Sequence, residues 1–259
     1  MRSATGYPSI DKPWMKYYSE EAANAPLPEC TIYEYLWENN KDYPNDIAIN
    51  YVGRKITYGQ LFQRIDETAA AFLTIRVKPG EIVTVALPSI PEALYCIYAL
   101  NKIGAVANMI HPLAGEKEII HYLNEVNSRV AVLFDGTYKI MGHAIGQTSV
   151  KRAIIVSAGC SLPVGVKQLY YLKAGKTALP KNKVFRSWHA FIQAGRGTPS
   201  VQYQKDSNAM AIISHTGGTT GEPKGVMCSD KNLNALMYQI VCNFQHGRQG
   251  RSLSVLPPL

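Results

Sequence analysis

Residues Asn208 to Cys228 read NAMAIISHTGGTTGEPKGVMC, and three different things happen within them. Asn208 to His215 is an apolar run of strand length, and Gly225 to Cys228 is a short return strand. Between them lies Thr216-Gly217-Gly218-Thr219-Thr220-Gly221-Glu222-Pro223-Lys224-Gly225. Glycines without a side chain let backbone N–H groups turn inward and approach an anion closely. Thr216, Thr219 and Thr220 add hydroxyl donors, and Lys224 adds a mobile positive charge, so the ten residues suit a polyphosphate. The plain alternative is a hairpin connection, but the threonines, Pro223 and Lys224 at these places are more than a turn requires. A Walker-type phosphate loop needs GxxxxGK, then Ser or Thr, then a helix. Here Lys224 follows Pro223 and leads through Gly225 into strand-like Val226 and Met227, so no helix N-terminus lies beneath the phosphate.

Working outward, the chain alternates. Asp46 to Val52, a turn at Gly53 and Arg54 to Tyr58 read as a hairpin. A helix follows, with Thr57 as its cap and Leu61, Phe62, Ile65, Ala69 and Phe72 on one face. Lys78-Pro79-Gly80 ends it, and Glu81 to Leu87 is a strand. Helix from Pro91 to Ile103, strand from Ala105 to Ile110, helix from Gly115 to Asn127, and strands at Arg129 to Phe134 and Ala153 to Ser157 come next. Such alternation predicts an α/β fold, with mostly parallel sheets flanked by helices in layers. From Ala158 to Gln204 the order weakens: Gln168 to Leu172 carries a faint strand signal and Ser187 to Ala194 a short helix. Ser229 or Asp230 caps a helix to about Gln245, and Ser252 to Leu256 reads as a last strand. The division expected is 1–157 as a first αβ subdomain with an N-terminal arm, 158–206 as a basic Gly/Pro/Lys-rich excursion, and 207–259 as the start of a second αβ subdomain.

With 46% hydrophobic and 18% charged residues in 259, the composition is that of a packed globular protein and excludes disorder. The apolar run Ala93 to Ile110 is broken by Asn101, Lys102, Gly104 and Asn108, too polar for a membrane span. The N-terminus has no apolar core of signal-peptide length. Five scattered cysteines, Cys30, Cys96, Cys160, Cys228 and Cys242, show no CxxC pair and no metal-ligand spacing, so no metal site is expected; reduced thiols fit a cytoplasmic protein. The net charge of +8 is local: residues 136–205 contain no Asp or Glu but 11 of the 27 Lys and Arg. Such a stripe suits peripheral contact with a membrane surface or the phosphates of a ligand, and without interleaved stacking aromatics no nucleic acid is expected. A solvated surface insertion is the plainer reading.

The residues Thr216 to Gly225 resemble the phosphate-loop signature of the acyl-adenylate-forming superfamily of AMP-dependent synthetases and ligases: Thr/Ser, Ser/Gly, Gly, Thr/Ser, Thr, Gly, any residue, Pro, Lys, Gly. Gly217 beside Gly218 resembles the fatty-acyl-CoA ligases in particular, while His215 stands where Tyr or Phe is common, leaving open whether it packs or hydrogen-bonds. Upstream, Ile56-Thr57-Tyr58-Gly59-Gln60-Leu61 and Val77 to Val83 resemble the family's early elements. Leu100 to Pro112 resembles its Gly-Ala segment, with His111 before the proline as a packed or solvated side chain and, secondarily, a ligand contact.

The resemblance implies the N-terminal portion of the large adenylating domain. It also implies ATP-dependent activation of a small carboxylic acid to acyl-AMP with release of pyrophosphate, then thioester formation with coenzyme A, with magnesium assisting. It assigns Thr216, Gly217, Gly218, Thr219, Thr220, Gly221 and Lys224 to ATP, with Lys224 and Thr216 nearest the chemistry. Adenylation for loading a carrier protein, or a non-catalytic nucleotide- or anion-binding remnant, remain alternatives. Leu253 to Leu259 resembles the lead-in to the family's next motif, and about half of its usual length is present. The chain is therefore expected to be a truncated N-terminal part, inactive alone.

Overall fold

The computed structural model describes residues 5–175, 177–180, 182–199, 201–216, 224–244 and 250–254. The N-terminal arm holds two short α-helices, α1 (Pro8–Asp11) and α2 (Glu20–Asn24), with a 3-10 turn at Pro13–Tyr17 between them, before α3 (Ile32–Asn40). A two-stranded antiparallel hairpin follows, β1 (Ile47–Tyr51) and β2 (Arg54–Thr57). Its turn needs positive φ at both central residues, and Val52 (+52°) and Gly53 (+88°) supply it. The strained valine is held in a turn where the Asn50 Oδ1 accepts from the Gly53 N–H at 3.1 Å.

Thr57 closes β2 and starts α4 (Tyr58–Thr74) through a reciprocal cap: its hydroxyl accepts from the Gln60 N–H, and the Gln60 side chain accepts from the Thr57 N–H. The face read from the sequence, Leu61, Phe62, Ile65, Ala69 and Phe72, is buried. Then come β3 (Ile82–Ala86), α5 (Pro91–Lys102), β4 (Val106–Met109), α6 (Glu116–Glu125), β5 (Val130–Phe134), α7 (Tyr138–Ile145) and β6 (Arg152–Val156). After these follow α8 (Val164–Ala174), β7 (Phe185–Ser187), α9 (Trp188–Ala194), β8 (Met210–His215), β9 (Gly225–Ser229) and α10 (Asp230–Phe244).

Among the described residues the main sheet has seven strands in the order β7-β6-β5-β3-β4-β8-β9, parallel throughout except for β9. Both faces are covered, so the parallel strands are buried on alternate sides. Val83, Val85, Val130, Val132, Ile154 and Val156 face the core under α3, α4, α5 and α9. Ala86, Ala131, Leu133, Ala153 and Ile155 face the one under α6 and α7.

The stretch 158–206 is woven into this body. Its β7 pairs with β6, and Phe191 of α9 is fully buried edge-to-face against Phe72. The strand signal at Gln168–Leu172 is overturned: those residues lie inside α8, between Pro163 at its N-cap and Gly175 at φ +71° beyond its end. Strands from both sides of the stretch share the sheet, since β8 pairs with β4. The strand expected from Ser252 is not formed at Ser252–Ser254, and its remainder lies outside the described residues.

Candidate active site

The parallel strands β3, β4, β5, β6 and β8 all end on one edge of the sheet, where open α/β sheets receive their ligands. β8 delivers Thr216 to that edge, and β9 returns from Gly225 in antiparallel register, His215 opposite Gly225 and Ser214 opposite Val226. The candidate loop is therefore a strand-to-strand connection. Its neck is closed by three backbone and hydroxyl contacts: Thr216 N–H to Lys224 O at 3.0 Å, Lys224 N–H to Thr216 Oγ1 at 3.3 Å, and Thr216 Oγ1 to Lys224 O at 3.5 Å. Thr216 and Lys224, far apart in the loop's sequence, are thus brought together, and both are exposed. Gly217, Gly218, Thr219, Thr220 and Gly221 lie outside the described residues. Gly225 sits in a tight place: a Cβ there would lie 3.1 Å from the Ile213 Cγ2 and 3.4 Å from the His215 Cε1, so those side chains would have to give by a few tenths of an ångström.

His215 both packs and hydrogen-bonds. Its ring lies 4.1 Å, centroid to centroid, from that of Tyr122. Its Nε2 is 2.7 Å from the Asn108 Oδ1, and the Asn108 amide donates to the Thr84 Oγ1 at 3.1 Å. With the Asn108 amide donating to Thr84, its oxygen is the acceptor that faces the His215 Nε2. The Thr84 N–H continues the thread to the Ser128 Oγ at 3.1 Å, and Ser128 donates to the Val130 carbonyl at 2.8 Å. Burial holds the His215 pKa below its ordinary value, with Glu125 opposing and His121 reinforcing. Its Nδ1 is buried with no partner among the described residues. This polar thread across β8, β4 and β3 went unread in the sequence. The signal was present: Asn108 is a polar residue inside an apolar run that must be buried on both faces, and such a group has to be satisfied.

A second connection holds the hairpin from behind. Asp230, at the start of α10 and fully buried, accepts at Oδ1 from the Ile32 N–H (2.9 Å) and the Asn101 amide (2.7 Å). The Lys205 Nζ lies 2.7 Å from its Oδ2. Asn101 in turn accepts from the Tyr33 N–H at 3.0 Å, and the Asn234 amide donates to the Cys30 carbonyl at 2.8 Å. Ser229 caps α10 by exchanging bonds with Asn232.

His111 is exposed at the carboxyl end of β4, and its Nδ1 accepts from the Leu113 N–H at 3.2 Å. It lines an open groove of about 500 Å3 with Tyr51, Pro88, Phe134 and Ala158. All five cysteines are free thiols, and burial pushes the Cys160 pKa up to about 11, which makes it a poor nucleophile. Among the described residues there is no cluster of three His, Cys, Asp or Glu.

The family model for AMP-binding enzyme matches residues 36–259. The chain belongs to the AMP-binding enzyme family. Across 240 residues it is 26% identical to the long-chain-fatty-acid–CoA ligase of Bacillus subtilis, covering 86% of this chain and 41% of that protein. A putative long-chain-fatty-acid CoA ligase from Rhodopseudomonas palustris superposes with a TM-score of 0.72 at 19% identity, covering 88% of this chain and 52% of that one. An anthranilate CoA ligase solved with anthranoyl-AMP superposes at 0.64, also at 19% identity, covering 81% of this chain and 36% of that one. This AMP-binding chain thus spans about two fifths of the length of the curated relative, and the likeness to the solved structures establishes its α/β fold.

Proposed function

We propose that this AMP-binding chain is the N-terminal part of an acid–CoA ligase, and that Thr216 to Gly221 with Lys224 hold the phosphates of ATP. The observation that carries the reading is the neck of the hairpin. Thr216 and Lys224 are locked against each other at the carboxyl edge of a parallel sheet, with the glycine-rich sequence between them. In the proposed reaction a carboxylate oxygen attacks the α-phosphorus, the bond to the bridging oxygen breaks, and negative charge moves onto the departing pyrophosphate. Loop N–H groups, threonine hydroxyls and the Lys224 ammonium oppose that charge, and donors already in place reorganise little as it develops. Magnesium would neutralise phosphate oxygens. The acyl group then passes to the thiol of coenzyme A. A cytoplasmic location belongs to the same proposal, supported by the free thiols. In this reading residues 207–259 open the subdomain that carries the loop, built onto the edge of the first sheet.

Lys224→Ala is expected to weaken ATP binding by about tenfold or more, the worth of one charge-assisted contact. An ATP titration by calorimetry that matches the unsubstituted chain would overturn the loop assignment. Acid-dependent exchange of labelled pyrophosphate into ATP tests the chemistry: the 259-residue chain alone is expected to be silent, and robust exchange would refute that part. In the full-length protein, acyl transfer to coenzyme A and not to a phosphopantetheinylated carrier is the expected outcome.

A further inference from the structure

The backbone pairing of β8 with β4 stops short of the phosphate loop. It runs from Ala107–Ile212 through Asn108–Ile213 to Met109–Ser214 and ends there. His215 and Thr216 lie beyond it, and on the other side β9 meets His215 with its first residue, Gly225. Past Ser214, a side chain continues the connection to β4: the His215 Nε2 lies 2.7 Å from the Asn108 Oδ1. That contact has a rigid footing. Asn108 is fully buried, and its amide is held by Thr84 of β3, which is held in turn by Ser128. The ring is confined from outside as well, by Tyr122 of α6 and by Gly225, whose missing side chain leaves it room. Thr216 follows directly and turns its N–H and hydroxyl to Lys224 at the neck of the loop.

We infer that His215, held by Asn108, is a positioning residue for the phosphate loop: it fixes where β8 releases Thr216 toward the nucleotide. This rests on the role proposed above for Thr216 and Lys224. His215 acts through the main chain of its neighbour, so the loop's donors meet the triphosphate already oriented. A proton added to the ring disturbs the arrangement. Nε2 faces an acceptor, but Nδ1 is buried with no partner among the described residues, so the cationic ring holds one N–H that nothing there accepts. Burial, the largest influence, keeps its pKa below the ordinary value; of the charged groups on α6, Glu125 favours the proton and His121 opposes it. Tyr122, whose own pKa burial raises, stays uncharged. Asn108 faces the ring from β4, and Gly225, with Lys224 beside it, from β9.

Calorimetric titration with magnesium–ATP, well below the melting temperature, tests this. His215→Phe is expected to weaken ATP binding about tenfold, the worth of one anchoring hydrogen bond. His215→Gln, whose amide still offers the Asn108 oxygen a donor, is expected to restore most of the affinity. From pH 7 to pH 5 the unsubstituted chain is expected to lose affinity relative to His215→Gln, a ratio from which titration of the nucleotide's own phosphates cancels. Loss of packing alone would leave that ratio flat. Without nucleotide, the Thr216 amide resonance should move as the His215 ring titrates and should not follow such a titration in His215→Gln. Unchanged affinity in His215→Phe, while Lys224→Ala still weakens binding, would overturn the inference and leave the phosphate loop standing. No ATP binding by the unsubstituted chain, or none lost in Lys224→Ala, would overturn the loop reading and the inference with it. If His215→Phe fails to fold, a Thr216 resonance indifferent to the titration of the ring overturns the positioning role by itself.

Discussion

At the scale of the residue, a half-buried histidine and a buried glutamate respond to pH in opposite senses. His215 has its pKa lowered by burial, so the unfolded chain binds a proton more readily than the folded one as pH falls below the ordinary 6.5. Stability from the neutral ring is present above that value and lost below it. His215→Phe keeps the packing on Tyr122 but leaves the buried Asn108 oxygen unpaired, at a cost of about 1–3 kcal/mol near neutrality. The difference in melting temperature between the two proteins is expected to shrink from pH 7 toward pH 5; a difference constant with pH would show that the ring does not titrate as described. Glu92 is the converse. It is buried with one oxygen 2.6 Å from the Ser161 Oγ and the other without a partner among the described residues. Burial raises its pKa above the usual carboxylate value, with Ser161 opposing. Its contribution is therefore complete below pH 4.5 and is lost as pH rises through the raised value. Glu92→Gln is expected to melt higher than the unsubstituted chain at pH 7 and alike near pH 4; a lower melting point at pH 7 would mean that the ionised carboxylate stabilises the fold.

The helices and strands differ in how openly they were written. α4 was legible end to end because its cap, its periodic apolar face and its Lys78-Pro79-Gly80 stop all agree. Thr57→Ala should cost about 1 kcal/mol, read from denaturant unfolding, because the Gln60 N–H loses its acceptor. α8 was misread since Leu169-Tyr170-Tyr171-Leu172 suits a strand by composition, and the capping signals of Pro163 and Gly175 had to outweigh it. β7 went unread because three residues, Phe185 to Ser187, carry no period; pairing with β6 alone makes them a strand. α9 was read as a helix, but its burial was not foreseen. Phe191→Ala should cost about 3–5 kcal/mol, the value for emptying an aromatic site in a core, and a change below 1 kcal/mol would detach α9 from the body.

For the molecule as a whole, the buried Asp230–Lys205 pair ties the loop-bearing hairpin and α10 to α3 and α5. Removing one partner strands the other charge, so Asp230→Ala should cost about 3–5 kcal/mol in global unfolding, and a near-neutral result would mean that the hairpin is held elsewhere. The sequence by itself determined the α/β alternation, the strand-to-strand loop with Thr216 and Lys224 at its ends, and the membership of the AMP-binding family that the loop announces. Those properties are local: period, turn chemistry and a run of adjacent donors are complete within a few neighbouring residues. Only the tertiary structure decided that β8 joins β4 in the first sheet, that Asn108 meets His215 across 107 positions, and that Asp230 meets Asn101 and Lys205 out of water. Such pairs leave no spacing in the chain, because what brings them together is the strand order and the need of a buried polar group for a partner.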